Sequence, residues 1–336
     1  MKHAIIPFLF LIIFCEITGA QVIYVHGQAQ GSNDGTSWAS AFTDLQAALS
    51  VAQPGDSVWV AQGTYFPTQD SDRTVYFELK NGVRLFGGFA ATETALNERD
   101  WETNHTILSG DIGVLNDSTD NSLTILYMEN ADTTTAVDGF VFQKGNADDG
   151  SGGFTGLTAI GGAMYINGEA GFAYPRIRNC RFERNYALLF GGAVYVNGSN
   201  NGSVAPRFYN CVFEQNHAGS DGGAIYRAGG SWVEVKNDFW NCTFTRNRAE
   251  NHGGAILYLE SERTDTIEFT GCKFIENEAG KSGGGIAYFG GRDIGAKVII
   301  GDCSFIKNKA RKGGGYYCLP WNFLYTDLLL FKNSEF

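Results

Sequence analysis

From Cys180 to the end of the chain, apolar and polar residues alternate in a pattern that returns once every 30 or 31 residues. Cys180, Cys211, Cys242, Cys272 and Cys303 stand 31, 31, 30 and 31 residues apart. Two residues after each comes a phenylalanine: Phe182, Phe213, Phe244, Phe274 and Phe305. Between them sit Arg181, Val212, Thr243, Lys273 and Ser304, so the period is two, that of a short strand with one buried face. An asparagine follows at Asn185, Asn216, Asn247, Asn277 and Asn308, then an alanine, a glycine pair and an apolar stretch such as "GGAVY" or "GGAIY". Within the repeat, no segment shows the ten or more residues at i, i+3, i+4 spacing that a helical solenoid needs. Strands that recur one unit apart stack in parallel and in register, and the expected architecture is an all-β parallel β-helix.

In such a stack, like residues lie over like residues at the strand spacing of about 4.8 Å. The expected ladders are phenylalanine inside, cysteine beside it, and asparagine at a bend, where its amide bonds the next rung and its backbone takes the left-handed conformation of a corner. The glycine pairs, from Gly191 and Gly192 to Gly283 and Gly284, supply positive φ or close packing at the next corner. None of this repeat requires catalysis to explain it.

The N-terminal half is less regular. Trp38, Phe42, Leu45 and Leu49 are spaced for a helix opening at Thr36 or Ser37 and closing at Pro54 and Gly55, a cap for the solenoid's open end. Strands are expected in "SVWVAQGTY", in "GVRLFGGF", and at 74–79, 106–108, 123–128 and 137–142. "GFVFQKGNA" reads as a degenerate first unit, with Phe142 and Asn146 in the later Phe and Asn roles. Residues 1–20, with a basic start, an apolar run and a small-residue exit, read as a secretory leader, leaving a mature chain without a membrane span. The expected organisation is one solenoid over 21–336. Its capping helix and irregular coils fill 21–150; regular coils fill 151–336 and break off in mid-unit. There Asn333, Ser334 and Phe336 fall where the Asn, Cys and Phe of a further unit belong. An uncovered end of this kind suggests a missing continuation or end-to-end contact with a partner.

Composition adds little to the fold and something to function. The 336 residues include 44 Gly, 25 Phe and 15 Tyr but only 6 Pro, as strands joined by tight turns require. A net charge of −11 argues against nucleic acid. Stacked cysteines in an exported chain invite disulfides, but their in-register Cβ vectors run parallel, and a reduced, buried ladder is the preferred reading. No Cys-x-x-Cys pair points to zinc.

Candidate chemistry is sparse. Four residues after each cysteine stand Arg184, Gln215, Arg246, Glu276 and Lys307, and six after stand Tyr186, His217, Arg248, Glu278 and Lys309. Neither column groups the carboxylates that a hydrolase or a calcium-dependent lyase needs. Asp111, Asn116, Asp117, Asp120 and Asn121 form one polar stretch able to hold Ca²⁺, with the first four as the candidate ligands, and Asp148 and Asp149 form another. His105 lies near the first stretch and adds little. No other cofactor is indicated. Trp232, Trp240, Tyr258, Tyr288, Tyr316, Tyr317 and Trp321 are read mainly as core or stacking residues, with sugar stacking the sharper alternative.

The pairing of "GGAIY" or "GGAVY" with F-x-x-N resembles the repeat of the polymorphic outer membrane proteins. The whole mature chain, with its opening "SNDGTSWASAFTDLQAAL", resembles exported right-handed β-helix proteins of the pectin-lyase-like fold. The resemblance implies a right-handed single-stranded solenoid at the cell surface or outer membrane, or secreted. It also implies a longer chain ending in a sorting domain or a barrel. Function is left among three readings, because this fold hosts many activities. The first is a non-enzymatic adhesin or recognition module for a glycan or a cell-surface protein. The second is a polysaccharide lyase or glycoside hydrolase using Asp111, Asp117 and Arg99. The third is a structural spacer.

Overall fold

The computed structural model describes residues 19–151, 158–229, 236–259, 266–290, 297–319, 328–332 and 334. Most of the expected leader, together with Trp232, Trp321, Asn333 and Phe336, lies outside the described residues.

The chain winds into a parallel β-solenoid. One sheet of ten strands runs from Val22–Val25 through Arg176–Arg178 and Arg207–Tyr209 to Leu328–Lys332. A second, here the Phe sheet, holds eight strands from Gly63–Tyr65 through Phe140–Gln143 and Arg181–Glu183 to Ser304–Ile306. A third, the Tyr sheet, also has eight, from Phe77–Glu78 through Val194–Asn197 to Tyr316–Leu319. Registers are those of the repeat: Phe142, Phe182, Phe213, Phe244, Phe274 and Phe305 pair rung to rung. Their rings stack at 4.7 to 5.0 Å with planes within 7° of parallel. Each of these side chains is buried, worth about 2 kcal/mol against exposure.

The cysteine ladder is buried from Cys180 to Cys303, and each thiol donates to a carbonyl one coil back, as Cys211 does to Ile177 and Cys303 to Phe269. Ser334 takes the next place in this ladder, its hydroxyl donating to Ile300 and accepting from the Cys303 amide. The core also contains a charged residue that the repeat did not announce. Arg227 is 2% exposed, lies over the Tyr258 ring at 5.7 Å, and donates to the Val204 carbonyl.

Several expectations need correction. The left-handed residue of the Asn corner is the residue before the ladder asparagine: Arg184, Gln215, Arg246, Glu276 and Lys307 have φ between 52° and 55°. The ladder asparagine points inward, so its neighbour makes the bend. Asn146 does not take the ladder role either. It pairs with Tyr186, and Gly145 stands in the asparagine's place, its amide donating to Asn185 Oδ1. The helix spans only Leu45–Val51, capped by Asp44, whose carboxylate accepts from the Gln46 amide. Leu45, Ala48 and Leu49 are buried against the first coils, while Trp38 and Phe42 belong to the preceding loop. Trp38 is held there by Tyr24 and Phe89 and by donating to the Glu93 carbonyl. Two expected strands are each split, "SVWVAQGTY" at Gln62, just before Gly63 with its positive φ, and 137–142 at Gly139, also of positive φ. At the pair before the Tyr sheet, Gly222 has φ 66°, and a Cβ on Gly223 would meet the Gly254 carbonyl oxygen at 2.1 Å.

Candidate functional site: a trough on the Phe sheet

The Phe sheet buries its phenylalanines and turns its alternate residues outward. Val141, Arg181, Val212, Thr243 and Lys273 form one outward column; Gln143, Glu183, Glu214, Thr245 and Ile275 form another. Arg181 pairs with Glu183 at 2.6 Å and reaches Glu214 at 3.5 Å, and Arg246 pairs with Glu214 from the next coil. At the early coils two excursions wall this face.

The first wall is the loop 90–105. Asp100 donates its amide to the Gly88 carbonyl, and Gly88 has φ 93° with Trp101 packed where a Cβ would stand. Arg99 pins the loop: its guanidinium pairs with Asp138 at 2.8 Å, donates to the Gly87 and Asp138 carbonyls, and lies 4.8 Å from the Trp101 ring centroid. With its side chain 7% exposed, Arg99 is a positioning residue. Between this wall and the sheet opens a cleft of about 410 Å³, lined by Trp101, Glu102, His105, Val141, Asn179, Arg181, Asn210 and Val212.

The second wall is the loop 111–122, at the other end of the Phe140–Gln143 strand. Its cleft of about 200 Å³ is lined by Asp111, Asn116, Ser118, Asn121, Lys144, Asn146, Arg184 and Tyr186. The four expected calcium ligands do not converge. Lys144 Nζ lies 2.6 Å from Asp111 Oδ2 and 2.8 Å from Asn116 Oδ1, so an ammonium occupies the position expected for the ion. Asp117 accepts from the Thr119 hydroxyl and amide, which hold its carboxyl below the usual range, and Asp120 accepts from the Val114 amide. Asp120 Oδ1, Asn121 Oδ1 and Ser122 Oγ are buried without a hydrogen-bond partner; only Asp120 belongs to the expected four. Of the second acidic stretch, Asp148 pairs with Arg73 at 2.5 Å and Asp149 caps Ser151. Among the described residues, no three His, Cys, Asp or Glu side chains are grouped to hold a metal.

The expected lyase group also separates. Arg99 belongs to the first wall, and Asp111 and Asp117 to the second. The two corner columns are mixed in charge: His217 and Arg248 both meet Glu250 at 3.0 Å, and Lys307 stands 3.9 Å from Glu276. Of the aromatic candidates, Tyr258 and Tyr288 are buried, and Trp240 is stacked on Tyr209 at 4.7 Å. Trp101, which borders the larger of these two clefts, is not among the aromatics expected from the sequence. Its signal was a tryptophan in a charged run, "ERDWETNH", without strand alternation.

A parallel solenoid with one outward sheet face walled by loops is the class defined by this geometry. The model of the right-handed β-helix region matches residues 104–323, and the chain belongs to that family. No curated protein matches the chain. Among solved structures, the chain is similar to a pectate lyase, Pel9A, at 12% identity and a TM-score of 0.48, over 95% of this chain and 79% of that one. It is similar to a rhamnogalacturonan lyase at 14% identity and a TM-score of 0.45, over 92% and 87% respectively. Likenesses this distant assign no activity. Among the described residues, no helix is long and apolar enough to cross a membrane.

Proposed function

We propose that this chain is a non-enzymatic recognition module, exported to the cell surface or secreted, that binds an extended glycan along the trough of the Phe sheet. The observation that carries the reading is the larger cleft. Trp101, pinned by Arg99, offers an aromatic surface beside Arg181, Asn179 and Asn210, and sugar recognition combines such a ring with polar side chains. The Arg181, Glu183 and Glu214 row continues from it along the face. Export rests on the leader-like residues 1–20.

A second reading, a polysaccharide lyase or glycoside hydrolase, is favoured by one feature: Lys144, Arg184 and Asp111 share the smaller cleft, bringing two cations and a carboxylate together. One experiment separates the two. The mature chain is screened against a glycan panel, with and without Ca²⁺, reading retention and new chain ends together. The expected result is retention without cleavage, weakened roughly 30-fold in Trp101→Ala, or about 2 kcal/mol for a central aromatic contact. Unsaturated or reducing ends, abolished in Lys144→Ala, would replace the recognition module with the enzyme. Neither retention nor cleavage would leave a spacer or a protein adhesin.

A further inference from the structure

A concavity of about 380 Å³ lies far from the trough, at the corner leading into the late strands of the Tyr sheet. Lys281, Arg311 and Lys312 border it, and His252, Phe289 and Tyr317 are among its apolar and aromatic lining. The coil geometry brings the cations together. Ser282 pairs with Lys312 on the next coil, and the Lys312 amide donates to the Lys281 carbonyl at 3.0 Å. All three cations are exposed, and none makes an ion pair with a carboxylate among the described residues. Asp221, on the same corner one coil back, has both carboxylate oxygens engaged, Oδ1 accepting from the His252 amide and Oδ2 from the Ser220 hydroxyl. The lining is equally fixed. His252 Nδ1 meets the Ser282 hydroxyl at 2.5 Å, its ring stands edge-on to Phe289 at 4.8 Å, and Phe289 stands edge-on to Tyr317 at 6.3 Å.

This arrangement differs from that of the Asn corner. On the Asn corner, cations of one coil meet carboxylates of a neighbouring coil, as Arg246 meets Glu214. Like charges on adjacent rungs are destabilising, so three unmatched cations here are a cost to the fold alone. An oxyanion would remove that cost through charge-assisted hydrogen bonds, and the aromatic lining suits the flat apolar face of a sugar ring. The chain's net charge of −11 opposes a long polyanion, but charges beyond about 8 Å are screened at physiological salt, so the local cations govern a short ligand.

We infer that this concavity is a second binding site, independent of the trough, for a short oligosaccharide carrying a carboxylate or a sulfate. The test is calorimetric titration of the mature chain with a glucuronate trisaccharide, a sulfated galactose trisaccharide and neutral cellotriose. At least one acidic sugar binds, and the neutral one binds at least tenfold more weakly; which acid binds names the oxyanion. Lys281→Ala/Arg311→Ala weakens that binding tenfold or more, with a melting temperature no lower than that of the parent chain. Lys273→Ala, which removes an exposed cation from the Phe sheet, and Trp101→Ala leave it unchanged. Absence of binding by both acidic sugars overturns the assignment, as does an equal loss in Lys273→Ala or a loss confined to Trp101→Ala.

Discussion

Asn216 illustrates how much of this fold rests on single side chains. It is fully buried, and its amide nitrogen donates to the Phe182 carbonyl and to Asn247 Oδ1 while its own Oδ1 accepts from the Asn185 amide group and backbone. Asn216→Ala leaves those groups buried without their partner, and a loss of about 3 kcal/mol is expected from the cost of orphaned polar groups in a connected network. Urea unfolding would measure it, with Gln215→Ala as the control, since that side chain is exposed at the same corner. A loss below about 1 kcal/mol for Asn216→Ala would mean that the ladder sets register without contributing much stability. The ladder was legible in the sequence because its spacing was constant. The left-handed position was not, because Arg184, Gln215, Arg246, Glu276 and Lys307 are residue types without a preference for that conformation. The corner is imposed by closing the coil, and the residue type there can vary because its side chain faces water.

At the scale of elements, the Tyr sheet carries a second ladder on its outer face. Tyr127, Tyr165, Tyr195 and Tyr226 stack at 5.3 to 5.6 Å, and the last three are buried under the segment around Leu189 and Phe190. Burial pushes all four phenols above their ordinary value, and it pushes Tyr65 on the Phe sheet up to about 12. The unfolded chain therefore releases these protons near pH 10, before the folded chain does. Stability is full below that pH and falls as pH rises above it. Melting temperature should drop between pH 9 and pH 11.5, and Tyr195→Phe should make the drop shallower. A flat profile, or one that Tyr195→Phe leaves unchanged, would count against this origin. Periodicity foretold the strands but not where the less regular elements begin. Trp38 and Phe42 fit a helical spacing, yet the backbone enters the helix only after Asp44, whose carboxylate supplies the cap. Asn146 was placed one residue out of register because Gly145, lacking a side chain, stands silently in the ladder position.

Over the whole molecule, regular and irregular coils divide the work. The repeated coils supply the ladders, and both trough walls come from loops of the N-terminal half, 90–105 and 111–122, where no column could be aligned. A site assembled from unrepeated residues leaves no column in the sequence: Asp111 stands out there only as an acidic residue, and no spacing marks Lys144 as its partner. The same architecture limits how far a perturbation travels, since in the register each coil pairs only with the coil before and the coil after. Phe213 stacks between Phe182 and Phe244, and Phe213→Ala should cost about 3 to 5 kcal/mol in lost burial and cavity. If coupling runs from neighbour to neighbour, amide exchange should accelerate over 181–187, 212–218 and 243–249 and leave the first coils, at 22–25 and 57–61, as protected as in the parent chain. Equal acceleration in those first coils would show instead that the solenoid opens as one cooperative unit. The trough walls would then be no more independent of the regular coils than one rung of a ladder is of the next.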